Sequence, residues 1–261
     1  ACSELERMEE GGEFLMSGAA SFGVCCLLMA ASKVLSPPFY PAEYKGSKAD
    51  REPLWHTTVV AIYPAFAVPY FAIPGALEFY REHGLTMVGP SNSTLRMALG
   101  VSLGYMLFDT VAMLCQPGKF IKAMGGSFFA QMMVHHILSV LFWPYAFYSE
   151  LFVLLVGYYM FTEISNSLLN LRWLVIERGG KTGPQFMAIN AMFFFAFMGA
   201  RVIPIPFIVK VLLDMDWSSL GPLELASGSL NVIPLALNLF WFKLLLQGAY
   251  KTLFAAKKVK A

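Results

Sequence analysis

Charge is scarce in this chain. Asp, Glu, Lys and Arg make up 14% of its 261 residues, where a soluble domain carries roughly a quarter. The deficit falls on long apolar runs, which excludes an ordinary soluble domain and points to a bilayer as the surrounding solvent. Hydrophobic residues supply 57%, and mean hydropathy is +0.59. Cysteine is sparse too, with only Cys2, Cys25, Cys26 and Cys115. None of them makes a CxxC or Cys/His spacing, so no disulfide framework and no metal site is expected. Their expected role is small apolar packing. There is no internal repeat, which argues against a transporter of the repeat type. No separate soluble domain is present either, so function must lie within the membrane helices or at their rims.

What the chain does have is long apolar segments. A hydrocarbon core of about 30 Å needs about 20 helical residues per crossing. Seven such segments are expected: Phe14–Leu35, Leu54–Leu77, Leu95–Cys115, Ser127–Phe147, Leu151–Val175, Phe186–Leu213 and Leu223–Tyr250. The predicted fold class is an all-α polytopic membrane protein with about seven helices around a central cavity. Three regions follow: residues 1–53 as tail, first helix and linker, 54–250 as a six-helix membrane domain, and 251–261 as a basic tail. The first apolar run follows Glu4, Glu6, Glu9, Glu10 and Glu13 rather than a basic stretch. It is expected to stay as a helix and not to be cleaved as a signal.

Lys and Arg are distributed unequally. On one side fall Lys33, Lys45, Lys48, Arg51, Lys119, Lys122, Arg172, Arg178, Lys181, Lys251, Lys257, Lys258 and Lys260. The other side has Arg7, Arg81, Arg96 and Lys210. The positive-inside rule then predicts a cytosolic C-terminus and a lumenal or outside N-terminus. Prolines punctuate the second segment (Pro64, Pro69, Pro74) and the sixth (Pro204, Pro206). They predict bent helices, which fit either a cavity wall or irregular packing.

Several ionisable residues sit where a charge costs several kcal/mol. They are Asp109 in the third segment, the pair His135 and His136 in the fourth, Glu163 in the fifth and Arg201 in the sixth. Ser165, Asn166, Ser167 and Asn170 make the neighbourhood of Glu163 polar. Arg201 is expected to pair with Asp109 or Glu163. Adjacent helical residues point about 100° apart, so one histidine can work as a base while the other supports it. A carboxylate on the second ring nitrogen would fix the tautomer, as in acyl transfer. The same set also fits a proton relay or a buried structural network.

These residues resemble a known family. Ser102-Leu103-Gly104-Tyr105 with Asp109, His135-His136, Glu163-Ile164-Ser165, Asn170-Leu171-Arg172-Trp173, Arg201 with Pro204, and Asn238 to Lys243 appear in the order found in TLC-domain (TRAM/Lag1/CLN8) proteins. They span about Leu54 to Tyr250. The Glu-x-Ser…Asn-Leu-Arg-Trp form looks most like the TLC-domain-containing branch, which is associated with membrane lipid composition. The family includes ceramide synthases, which join a fatty acyl group from acyl-CoA to a sphingoid amine. His135 and His136 match their His-His pair. Thr162, Glu163 and Asn166 stand where their second stretch has His, Asp and Asp. Glu163 keeps an acid there, whereas Asn166 cannot ionise.

Two functions follow as expectations. One is a lipid acyltransferase with His135, His136, Glu163 and Asp109 as catalytic candidates and Ser165, Asn166, Asn170 and Arg201 as support. It would have no permanently bound cofactor and would use acyl-CoA as co-substrate. The other is a non-catalytic lipid-binding or membrane-composition-regulating protein, or an accessory subunit of a larger complex. Expected partners are membrane lipids and either further copies or a larger membrane assembly, with no nucleic acid. A retinal-protein reading rests on Lys243 alone. The resemblance implies the endoplasmic reticulum, with a mitochondrial or plastid membrane as the alternative. The tail Lys257-Lys258-Val259-Lys260 resembles a dilysine signal without its spacing and reads as a basic cytosolic flank.

Overall fold

The computed structural model describes residues 4–180 and 183–258, with side chains described from residue 11 to 250 except at 181, 182 and 231. Cys2, Lys181 and Lys260 therefore lie outside the described residues, as do the side chains of Arg7, Lys251, Lys257 and Lys258. The described chain is helical and polytopic. Its helices are α1 (Glu4–Leu35), α2 (Glu52–Val60), α3 (Ile62–His83), α4 (Ser93–Cys115), α5 (Pro117–Met124), α6 (Gly126–Tyr148), α7 (Val153–Thr162), α8 (Ile164–Glu177), α9 (Pro184–Phe197), α10 (Ile205–Leu213) and α11 (Pro222–Lys258). Among the described residues, six helical stretches are long and apolar enough to cross a membrane: Gly11–Leu35, Ala49–His83, Ser93–Cys115, Gly126–Tyr148, Pro184–Leu213 and Pro222–Tyr250. The remaining expected segment, Leu151–Val175, is present as α7 and α8, parted at Glu163. Glu163 keeps helical angles (φ −58°, ψ −24°), so the break is a local loosening.

Prolines account for two interruptions. Proline lacks the N–H that would bond the carbonyl four residues back, and its ring clashes with that carbonyl. Pro64 acts this way on Val60, where α2 ends. Pro204 acts on Ala200, within a π-helical turn at Met198–Val202. There the Ile203 amide bonds Met198 O at 3.0 Å, five residues back. Pro69 and Pro74 lie inside α3 without ending it.

The core forms where α3, α4 and α7 meet. Val68, Phe79, Leu95, Leu99, Leu155 and Met160 are fully buried there. α4 is the central helix. Its Gly100 and Gly104 form a small-xxx-small pair against Gly18, Ser17 and Ser21 of α1. A Cβ on Gly100 would meet Ser17 Oγ, and one on Gly104 would meet Gly18 O. Small residues at that spacing let two backbones approach closely, and van der Waals packing then holds them where lipid supplies no hydrophobic drive. Ser21 Oγ also donates to Val101 O at 2.8 Å. Leu27, Tyr70, Leu107 and Phe195 are exposed, as expected of a lipid-facing surface.

The segment between α1 and α2 is folded into three 3₁₀ turns. It is pinned to the end of α8. Tyr44 OH donates to Glu177 Oε2 at 3.0 Å, and Arg51 pairs with Glu177 Oε1 at 3.0 Å. Burial first, then the Glu177 carboxylate, holds the Tyr44 phenol well above its ordinary range, so it remains a donor. Lys243, the residue on which a retinal-protein reading would rest, is exposed on α11.

Candidate functional site

Two polar clusters lie inside the helix bundle. The first joins α4 and α6. Asp109 is buried on α4 and His136 is buried on α6. His136 Nδ1 lies 3.3 Å from Thr110 Oγ1 and 3.9 Å from Asp109 Oδ2. The carboxylate is thus near the ring without a direct hydrogen bond, and the Thr110 hydroxyl is the closer partner. Tyr105 meets the His136 ring edge-on at 6.4 Å between centroids. One α-helical step separates His135 from His136, so the two rings face different ways, 5.5 Å apart at 50°.

His135 faces a cleft of about 430 Å³ between α6 and α11. Gln131, Ser139 and Trp143 line it from α6, and Ile233, Pro234 and Leu237 from α11. The lining is mainly apolar with a few polar groups, as in many ligand sites. His136 lies behind His135, on the α4 side. His135 is thus the ring on the cleft, and His136 the ring packed against α4.

The second cluster surrounds Arg201 in the π-turn. Its Nε donates to Ser165 Oγ at 2.8 Å and Nη1 to Asn238 Oδ1 at 3.2 Å. Nη2 donates to Thr162 O at 3.2 Å and to Asn166 Oδ1 at 3.0 Å. The Phe197 ring lies 5.4 Å from the guanidinium carbon. Tyr158 OH donates to the Arg201 carbonyl at 2.8 Å. A planar fork of five donors suits such a dispersed set of acceptors.

The α7/α8 break makes this arrangement available. Near Glu163 the backbone tightens, with its amide bonding Met160 O at 3.3 Å. The Thr162 carbonyl is taken instead by Ser165 Oγ at 2.9 Å and by Arg201. Glu163 does not pair with Arg201 directly, which corrects the expected ion pair. Asn166 stands between them: its Oδ1 accepts from Arg201, and its Nδ2 donates to Glu163 Oε2 at 2.8 Å. An amide has both functions at one end, so it can join a cation and an anion without either desolvating the other. Arg201 makes no ion pair with Asp109 either; that carboxylate faces His136.

Asn170 does not join this cluster and finds no hydrogen-bond partner among the described residues. Nearby Arg172 donates to Asn190 Oδ1 at 2.6 Å, tying α8 to α9. Thr110, Tyr105, Tyr158 and Asn238 join these clusters beyond the candidates that the sequence points to. Polar side chains in the middle of apolar segments were the available signal for Thr110 and Asn238. The two clusters meet at α11, where Leu237 lines the His135 cleft and Asn238 accepts from Arg201. Among the described residues, no three His, Cys, Asp or Glu side chains converge as they would to hold a metal ion.

No curated protein and no solved structure matches the chain. A family model, described as TLC domain, matches residues 54–247. That stretch runs from α2 into α11 and contains both polar clusters; α1 lies outside it while packing on α4 within it. With most of its length matched and its buried polar residues inside that match, the chain belongs to the TLC-domain family.

Proposed function

We propose that this membrane protein modifies lipids by acyl transfer from acyl-CoA to a lipid amine or hydroxyl. The observation that carries the reading is the position of His135 on an apolar cleft beside α11, with His136 behind it against Thr110 and Asp109. A lipid chain can lie in such a cleft and bring its polar end to the imidazole. His135 takes the proton from the attacking N–H or O–H as the new bond forms to the acyl carbon. The thioester C–S bond breaks, and the proton passes to the departing thiolate. Acyl-CoA is the co-substrate, with no permanently bound cofactor. Catalytic hydrogen bonds are often long before substrate binds, so the 3.9 Å gap from Asp109 to His136 is compatible with the role. Glu163 and Arg201, joined through Asn166, serve as support that fixes α8 against the π-turn and α11. The family supports lipid work in general. The Glu-x-Ser…Asn-Leu-Arg-Trp stretch resembles the TLC-domain-containing branch. In this reading the protein resides in the endoplasmic reticulum, with a mitochondrial or plastid membrane as the alternative, and its basic end faces the cytosol.

The test is acyl transfer by purified protein in lipid, with the total lipid profile of cells as a second readout. His135→Ala is expected to lower turnover by about 10²–10⁴-fold, the contribution of a positioned general base, without loss of folded protein. Unchanged transfer and unchanged lipids in both His135→Ala and His136→Ala would defeat it. A second reading is favoured by the saturation of the Arg201 cluster: a non-catalytic lipid-binding or regulatory protein, acting alone, as an oligomer or within a larger complex. It predicts bound lipid without turnover of acyl-CoA.

A further inference from the structure

A second cleft, of about 420 Å³, opens between α1, α2, α4 and α5. It shares no lining residue with the cleft at His135. Its inner part is apolar, built by Phe22, Cys26, Met29, Phe108, Val111 and Cys115. Its rim carries Lys33, from the last turn of α1, and Lys119, from the first turn of α5. We propose that this cleft binds one anionic phospholipid, with the phosphate between Lys33 and Lys119 and the chains directed along the apolar wall.

The charge pattern carries the proposal. Two other basic side chains at this end already have partners, Lys122 with Asp50 at 3.3 Å and Arg51 with Glu177 at 3.0 Å, while Lys45 and Lys48, at the same end, do not line the cleft. Among the described residues, Lys33 and Lys119 are paired with no carboxylate. Glu52 also lines the cleft, but its carboxylate accepts from Tyr40 OH at 3.4 Å and lies 3.7 Å from His56. It is thereby engaged with the wall. His56 is itself held at both ring nitrogens, by Ser32 Oγ at 2.8 Å and Tyr40 OH at 2.7 Å. That wall is preformed. The N-terminus of α5 opens beside Gln116 with no side-chain cap, which adds the positive end of a helix dipole.

The apolar part selects a lipid over a soluble phosphate. Leu27, Leu107 and Leu114, each next in sequence to a lining residue (Cys26, Phe108 and Cys115), are exposed, so acyl chains can pass from the cleft into the bilayer. The volume falls in the ordinary range for ligand sites, about 300–1,000 Å³. It accommodates a headgroup and the upper part of its chains. Lysines next to a membrane surface attract anionic lipids.

Native mass spectrometry of the delipidated full chain, titrated with phosphatidic acid and with phosphatidylcholine of the same chains, tests this. One phosphatidic acid is expected per chain, bound about tenfold more tightly than phosphatidylcholine. Lys33→Ala/Lys119→Ala should weaken it about 10- to 30-fold, and Lys33→Arg/Lys119→Arg should retain it. Ala112→Trp fills the cleft while keeping both lysines, and should also abolish tight binding. Lys45→Ala/Lys48→Ala, at the same end but outside the cleft, should leave it unchanged. Equal affinity for phosphatidylcholine, equal loss in the Lys45/Lys48 variant, or displacement by equimolar palmitoyl-CoA or by inorganic phosphate would overturn the proposal.

Discussion

The Arg201 cluster and the histidine pair are neighbours, yet they are built in opposite ways. Arg201 spends its donors on Ser165, Asn238, Asn166 and the Thr162 carbonyl, and Asn166 passes the contact on to Glu163. His136 has a long contact to Thr110 and a carboxylate beyond hydrogen-bond range, while His135 opens on a cleft. A saturated network in lipid holds helices together, because any lost bond leaves a polar group facing hydrocarbon. An unsaturated imidazole on a cleft has capacity left for a ligand. The difference separates donors that are already spent from an imidazole that still faces open space.

Breaking the saturated network should have the largest effect. Arg201→Ala removes four hydrogen bonds, each worth about 0.6–1.7 kcal/mol between membrane helices, for a loss of about 2–7 kcal/mol. Thermal unfolding in detergent should show it, and an unchanged midpoint would make the cluster incidental. His135→Ala sharpens the contrast from the other side: transfer falls steeply while the unfolding midpoint barely moves. Asn166→Leu should come next, at about 1–3 kcal/mol, since it leaves Glu163 and one face of Arg201 without a partner. Asn166→Asp tests the relay: a second carboxylate would repel Glu163 and should destabilise despite pairing with Arg201. Thr110→Val should be smallest, at about 0.5–1.5 kcal/mol for a single marginal hydrogen bond. If turnover falls in Thr110→Val by more than about tenfold with stability kept, the hydroxyl orients His136.

Much of the architecture was legible because lipid enforces it. Each crossing must be helical and apolar over its length, so Ser93–Cys115 and Gly126–Tyr148 stand within two residues of their expected bounds. The interruption at Pro204 was legible because proline cannot continue a hydrogen-bond ladder. The α7/α8 loosening was not, since Glu163 keeps helical angles and only its neighbours' carbonyls change partners. Nor was the choice of Asn166 as go-between. In sequence, Asn166 was notable as an amide in an acid's place; in space, that amide joins Arg201 to Glu163. Asn170, one turn on, looked equivalent and stands outside the cluster, because a helix face alone does not say which partner helix it meets.

The sequence by itself settled that this chain lives in a bilayer as helices and which polar residues that bilayer would refuse to expose. Those follow from one-dimensional quantities: length of apolar run and cost of buried charge. The pairing of those residues was decided only when α4 met α6 and the π-turn met α8 and α11. Contacts between residues tens of positions apart depend on helix rotation and crossing, and a shift of one residue turns a side chain by about 100°.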